Sequence, residues 1–444
     1  MKIKIINTLL YGRKEIARYL LTILLYMSMP FIIYGGFAVA SDKEDEHEKR
    51  DIYNIGGQIR LRGDFVRNQN LGDFSFSPET HDEQIVSRAR VNVSAAPIKQ
   101  MKGFIQGQFY SRQNHSDYSK ANLYQAYVEL SDVESFPISL KIGRQDFCYG
   151  SAFFLGNNDF YEGLTWDGLN LRILPKDNTW IDLISARYVK LNKNTSDNEP
   201  ALYGAYFSYA LTKDTNVDLY FFYHKGGFKF FHTDLPDSPK WFTLGTRLAG
   251  KINEQIDYEI EPLWQFGKID NSERASRDTI SAYGGYIEAG YTIKSKYNPR
   301  PFFAYAFGTG DNEPLDKKYQ EFHGNVYNDS YLVGDSSLIP DASGVTVGNA
   351  RASGMRILVS GVSADFSPKL NLNLDYHYFL ADKTPEGISK NMGGELNLIA
   401  AYKLLENINI IASANRFFTG KFFEDTAGSS KDIDYFYLQT QIDF

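Results

Sequence analysis

The 444-residue sequence has a single cysteine, Cys148, so no intrachain disulfide can form and the disulfide-stapled class of exported proteins is excluded. Cys148 reads as a small, partly apolar strand-end residue and not as a nucleophile. There is no excess of basic residues. The 47 Lys and Arg face 54 Asp and Glu, a net charge of −7, which leaves no global footprint for nucleic acid. No Gly-x-Ser-x-Gly elbow, phosphate-cradling loop or zinc-ligand spacing occurs. His224 and His377 stand alone on separate segments, so no metal, cofactor or enzymatic activity is expected. No linker divides the chain into domains. Beyond residue 40 there is no long apolar run and no sustained helical stripe, which excludes helical membrane spans.

What is present starts with a leader. Lys2, Lys4, Arg13, Lys14 and Arg18 precede an uncharged apolar run from Tyr19 to about Phe37, and Ala38-Val39-Ala40 follows. A basic start, an apolar stretch and small residues spaced for a peptidase make a cleavable secretory signal. Cleavage is expected after Ala40. Residues 41–53 are then a short charged periplasmic spacer, and residues 54–444 form one folded unit.

The rest of the chain has a period of two. Leu370, Leu372, Leu374, Tyr376 and Tyr378 share one face of a strand, while Asn371, Asn373, Asp375 and His377 share the other. Ile256, Tyr258 and Ile260 alternate with Asp257, Glu259 and Glu261. Val217, Leu219, Phe221 and Tyr223 alternate against Asp218 and His224. Ile59 and Leu61 alternate against Arg60 and Arg62, and Ala89, Val91 and Val93 against Arg88 and Arg90. About eighteen such segments run from near Asn54 to Phe444.

Their connections sort by length. Ala96 to Lys99, Pro175 to Asn178, Thr212 to Thr215, Ser367 to Lys369 and Leu405 to Asn407 are tight turns. Arg67 to Glu83, Gly150 to Leu164, Gly226 to Lys240, Gly267 to Thr279, Gly308 to Gly354 and Thr419 to Asp432 are long loops between them. Short turns on one side and long loops on the other are the pattern of an outer-membrane barrel. Aromatic residues make up 15% of the chain, as girdles at two membrane interfaces require. The fold class is therefore all-β, a transmembrane antiparallel β-barrel of about eighteen strands in the bacterial outer membrane, in contact with lipid and lipopolysaccharide. Lipid cannot hydrogen-bond an open edge, so the sheet must close. A barrel of sixteen to eighteen strands leaves an aqueous lumen.

In the last segment Phe436, Leu438, Thr440, Ile442 and Phe444 share the lipid face. A terminal Phe there resembles the signal by which barrel-assembly machinery recognises its substrates. By the same parity Arg60, Arg62, Arg88, Arg90, Lys141, Arg172 and Arg247 face the lumen, as do Asp257, Glu259, Glu261, Glu288, Asp375, His377 and Glu395. On lipid, each mid-membrane Arg or Lys would cost roughly 2–4 kcal/mol. A wall basic on one side and acidic on the other would hold a carboxylated sugar by two-pronged guanidinium bonds; the alternative is that the charges pair across the lumen. Tyr220, Tyr286 and Tyr437 also point inward and could stack on sugar rings.

Lys141 to Gly150, Phe154 to Asp159 and Thr165 to Leu171 together resemble the Gly-Arg-Gln … Tyr-Gly … Leu-Gly … Phe-Asp-Gly-x-Arg-Leu block of the alginate export porins. Asn170 stands at the Arg of that block, with Arg172 two residues on. Pro301 to Asp311, Phe322-His323-Gly324 with Tyr327, and Gly394-Glu395-Leu396 resemble later motifs of the family. The resemblance implies an eighteen-stranded monomeric barrel that passes an anionic, alginate-like polysaccharide, with a periplasmic export partner. It also adds Arg144 and Asp167 to the lumen-lining set. Arg144 has outward parity, and a bulge at Gly143 would be needed to turn it inward. A general diffusion porin for small solutes and an adhesive barrel are the competing readings. Phe153, Phe154, Leu155, Phe160 and Tyr161 make the Gly150 to Leu164 loop too apolar for water, so it is expected to pack inside the barrel and narrow it. Gly308 to Gly354 exceeds the length usual for a loop without function.

Overall fold

The alternation resolves into one closed sheet. In the computed structural model, the described residues are 53–444 apart from 114–117, 132–135, 190–199, 226–239, 272–275, 312, 314–315 and 324–330. The leader, most of the spacer and Tyr327 lie outside them. The strands are β1 (Tyr53–Gln69), β2 (Phe76–Ile98), β3 (Met101–Gln113), β4 (Tyr118–Ser131), β5 (Ile138–Gln145), β6 (Trp166–Lys176), β7 (Thr179–Tyr188), β8 (Ala201–Thr212), β9 (Thr215–Lys225) and β10 (Lys240–Lys251). They continue as β11 (Ile256–Asn271), β12 (Ser276–Tyr291), β13 (Arg300–Gly308), β14 (Lys318–Tyr319), β15 (Gly344–Val347), β16 (Ala350–Ser367), β17 (Leu370–Lys383), β18 (Asn391–Leu405), β19 (Ile408–Thr419) and β20 (Ile433–Asp443). β14 and β15 are short pieces of the long connection between β13 and β16. The other eighteen make the barrel wall, each antiparallel to the next, and β20 closes on β1 from Gln58↔Asp443 to Arg67↔Asp434.

Burial along the strands is inverted relative to a water-soluble protein. In β17 the polar Asp375 and His377 are enclosed, while Leu374 and Tyr376 are 44% and 38% exposed on the outer face. Lipid is the outer solvent, so the apolar face needs no protein cover and the polar face turns to the lumen. At the closing seam the Phe444 ring lies against Gly57. A Cβ there would sit 2.6 Å from its Cζ, and the backbones of Gly57 and Phe444 exchange two hydrogen bonds of 2.7 and 3.0 Å.

Strand heights differ, and this positions the site. β2 has 23 residues and β5 only 8. Where β5 stops at Gln145, the chain leaves the wall and turns into the barrel.

Candidate functional site

The segment 146–165 crosses the lumen. It first lies on the wall made by β7 to β12. The Tyr149 ring stacks on Tyr206 at 4.5 Å and its hydroxyl donates to Asp182 at 2.6 Å. Phe153 meets Tyr286 at 4.8 Å, and Phe154 stacks on Tyr220 at 5.0 Å. The chain then reaches the opposite wall of β1, β2 and β20, where Phe160 packs edge-on against Tyr437 at 5.8 Å. Phe153, Phe154, Leu155 and Leu164 are all buried. The apolar composition of the segment is explained: it has an interior to fill, as the sequence predicts.

Asp159 sits at the far end of this crossing, against the arginine patch. Arg60 Nη2 donates to its Oδ2 at 2.8 Å. Arg88 reaches both carboxylate oxygens at 2.9 and 3.0 Å, and Arg90 Nη1 reaches Oδ1 at 2.7 Å. The backbone carbonyls of Asp159, Phe160, Tyr161 and Glu162 accept from Arg60, Arg62, Arg88 and Arg90. Burial alone would raise the Asp159 carboxyl, but Arg90, Arg88 and Arg60 prevail and hold it at about 2. Its side chain remains 30% exposed. Arg62 belongs to a different arrangement. It pairs with Asp64 at 3.0 Å, both fully enclosed, and lies between the rings of Phe160 and Tyr161 at 3.9 and 4.1 Å.

The opposite wall is rich in carboxylates capped by tyrosines. Tyr206 donates to Asp218 at 2.8 Å and Tyr220 to Glu261 at 2.6 Å, and Tyr286 donates to Glu259. Arg172 grips Asp182 through two bonds of 2.7 Å and stacks on Trp180. Arg247 bridges Glu259 at 2.6 Å and Asp218 at 2.9 Å. Glu288 and Asp257 share Arg300. Lys141 lies over the Tyr127 ring at 4.6 Å. The tyrosines read as sugar platforms are therefore already engaged, with the loop or with carboxylates.

Asp375, His377 and Glu395 point inward beneath a second inward segment, residues 332–343. His377 bridges Asp375 at 2.7 Å and the Leu332 carbonyl at 3.1 Å. Glu395 accepts from the backbone amides of Asp335 and Ser336 and from the Ser336 hydroxyl at 2.8, 3.1 and 2.5 Å. These three residues anchor a loop and are closed off from an open bore.

Arg144 and Asp167 correct the sequence reading. They bond each other through two contacts of 2.8 and 2.9 Å on the outer face, and Arg144 also donates to the Leu123 carbonyl at 3.0 Å. Gly143 does take φ +128, but the ladder runs through it without a shift, from Tyr127↔Gly143 to Arg144↔Asp167. With no residue inserted, parity is kept and Arg144 stays outside. Asp159 was the site residue missed. The available signal was an excess of inward arginines on β1 and β2 beside the stretch Gly150 to Leu164, whose only carboxylates are Asp159 and Glu162.

Residues 51–339 match the family model described as alginate export. No curated protein matches the chain. Among solved structures, Pseudomonas aeruginosa OccK11 (OpdR) superposes with a TM-score of 0.57 at 15% identity, over 88% of this chain and 96% of its own. Acinetobacter baumannii OccAB4 gives 0.60 at 12% identity, over 88% and 98%. Pseudomonas aeruginosa OpdL gives 0.60 at 11%, also over 88% and 98%. At such identities the likeness speaks for the fold alone.

Proposed function

The chain belongs to the alginate export family, as a barrel of the bacterial outer membrane, and we propose that it passes carboxylated saccharides through a lumen whose basic wall selects anions. One observation carries this: Arg60, Arg88 and Arg90 converge on the single carboxylate of Asp159. Three guanidiniums against one carboxylate leave an excess of positive charge beneath the inward segment, where Asp159 is the partly exposed member. The partly exposed Asp159 occupies the position that a passing carboxylate would take, and guanidinium pairs suit that geometry. Monomeric function and insertion by assembly machinery through Phe444 belong to the same reading.

The test is reversal potential across a planar bilayer in a salt gradient, with block by an oligouronate. In the variant Arg88→Gln/Arg90→Gln, anion preference should drop and the blocking concentration should rise roughly tenfold, equal to about 1.4 kcal/mol. Unchanged selectivity in a folded double variant would remove the arginine wall from the mechanism.

A diffusion channel for small solutes is the second reading. It is favoured by the segment 146–165 lying across the lumen, which leaves less room for an extended polymer. Block by short oligouronates and by long polyuronate together supports export of polymer; block by the short ones alone supports the second reading.

A further inference from the structure

One row of outward positions lies on the lipid side of the wall, apart from the lumen. Register runs straight across from Arg187↔Ala201 to Ala201↔Lys225, Lys225↔Lys240 and Lys240↔Lys268. Lys225, Lys240 and Lys268 are therefore direct neighbours on β9, β10 and β11. All three are exposed. They share the outer face, because their sequence neighbours His224 and Trp241 are buried inward. Lys225 ends β9, Lys240 begins β10 and Lys268 lies three residues before the end of β11, on the side that carries the long loops, which is extracellular.

Like charges placed opposite one another destabilise a ladder. Further along the same row Arg144 and Asp167 neutralise each other. Among the described side chains, which leave out 226–239 and 269–278, no carboxylate pairs with Lys225, Lys240 or Lys268. Three like charges abut along the row, so an anion on the outer face would relieve their repulsion.

A second feature says by what. Two residues closer to the membrane centre on each strand, about 7 Å away, lies a row of outward rings: Tyr203↔Tyr223↔Phe242↔Phe266. Tyr223 and Phe266 flank Phe242 at 5.0 and 5.4 Å. Below them Phe221, Trp264 and Tyr283 are 43%, 39% and 49% exposed. Such a belt marks the depth where acyl chains give way to headgroups. The lysines stand one step further out, at the level of lipid phosphate.

We propose that Lys225, Lys240 and Lys268 form a binding site for the phosphates of lipopolysaccharide, with the ring belt beneath holding the start of its acyl chains. Three ammonium groups on adjacent strands span about 10 Å, and each contributes attraction to an anionic membrane surface. The site lies on the outer face and is independent of the lumen.

The experiment uses the full chain purified in detergent, with bisphosphorylated and dephosphorylated lipid A as separate probes. Binding of the bisphosphorylated probe should weaken on the order of a hundredfold in Lys225→Gln/Lys240→Gln/Lys268→Gln. The triple Arg variant should retain it, and the dephosphorylated probe should bind wild type as weakly as the Gln variant binds either. Single-channel conductance of the Gln variant should match wild type, which separates this site from the lumen. If the folded Gln variant, verified by its heat-dependent electrophoretic shift, binds the bisphosphorylated probe like wild type, the proposal fails. It fails equally if both probes bind wild type alike. Should the triple variant not fold, the single variants are measured instead, and affinity unchanged in all three overturns the site.

Discussion

Asp159 is one carboxylate shared by three guanidiniums, and its removal would leave Arg60, Arg88 and Arg90 facing one another beneath the loop. Breaking an enclosed ion pair costs about 3–5 kcal/mol; here the loss should be nearer ~2 kcal/mol, because Asp159 is 30% exposed and solvent screens it. Asp159→Asn should therefore release the segment 146–165 from the basic wall and raise both conductance and anion preference in planar bilayers. Unaltered conductance would show that the rings, and not the carboxylate, hold the loop. The pH dependence has a definite sign. The carboxyl is depressed from 3.8 to about 2, so its contribution is present above pH 4 and is lost as pH falls through 2. Loop accessibility to limited proteolysis should stay flat from neutral pH to about 4 and rise only below it.

At the level of elements, the two inward segments differ in how they are held. The 146–165 segment rests on rings and on a carboxylate stabilised as an anion. The 332–343 segment carries Asp335 and Asp341, both raised by burial, although hydrogen bonds from Ser413 and Ser343 oppose the shift. Their contribution is greatest when they are protonated and declines as pH rises through their elevated values. Acid should thus tighten the second segment as pH falls toward 4 and loosen the first only below that. Hydrogen exchange between pH 6 and 4 should show protection of 332–343 rising while that of 146–165 stays flat; a fall in the protection of 332–343 would contradict this. Replacing residues 151–162 with a short Gly-Ser link should raise single-channel conductance several-fold without loss of the barrel, since the wall strands pair without it. The strands themselves were readable from period two, because each residue meets lipid or water by parity alone. Where a loop goes is not periodic information, and only the shortness of β5 with the apolar run after it hinted at the inward turn.

The whole barrel depends on one seam. Gly57 leaves room for the Phe444 ring, and the two backbones exchange hydrogen bonds there. Gly57→Val should clash with that ring and with the Arg90 backbone carbonyl, 2.5 Å from a Cβ placed there, and reduce the heat-resistant, fast-migrating form on electrophoresis severalfold. Equal folded yield of Gly57→Val and wild type would exclude the seam as a closure point. The sequence by itself determined the all-β class, the strand number, the sorting of loops and the inward direction of Arg60, Arg62, Arg88 and Arg90. Each follows from a local rule, the alternation of solvent across a pleated strand. Tertiary structure decided which charges meet. Asp159 is 99 residues from Arg60 in sequence, and no pattern along the chain encodes that encounter. Cross-strand register decided the lysine row, and an unbroken ladder through Gly143 kept Arg144 outside. Closure of the sheet brings distant segments to one place, and pairing of charge there is a property of the closed barrel.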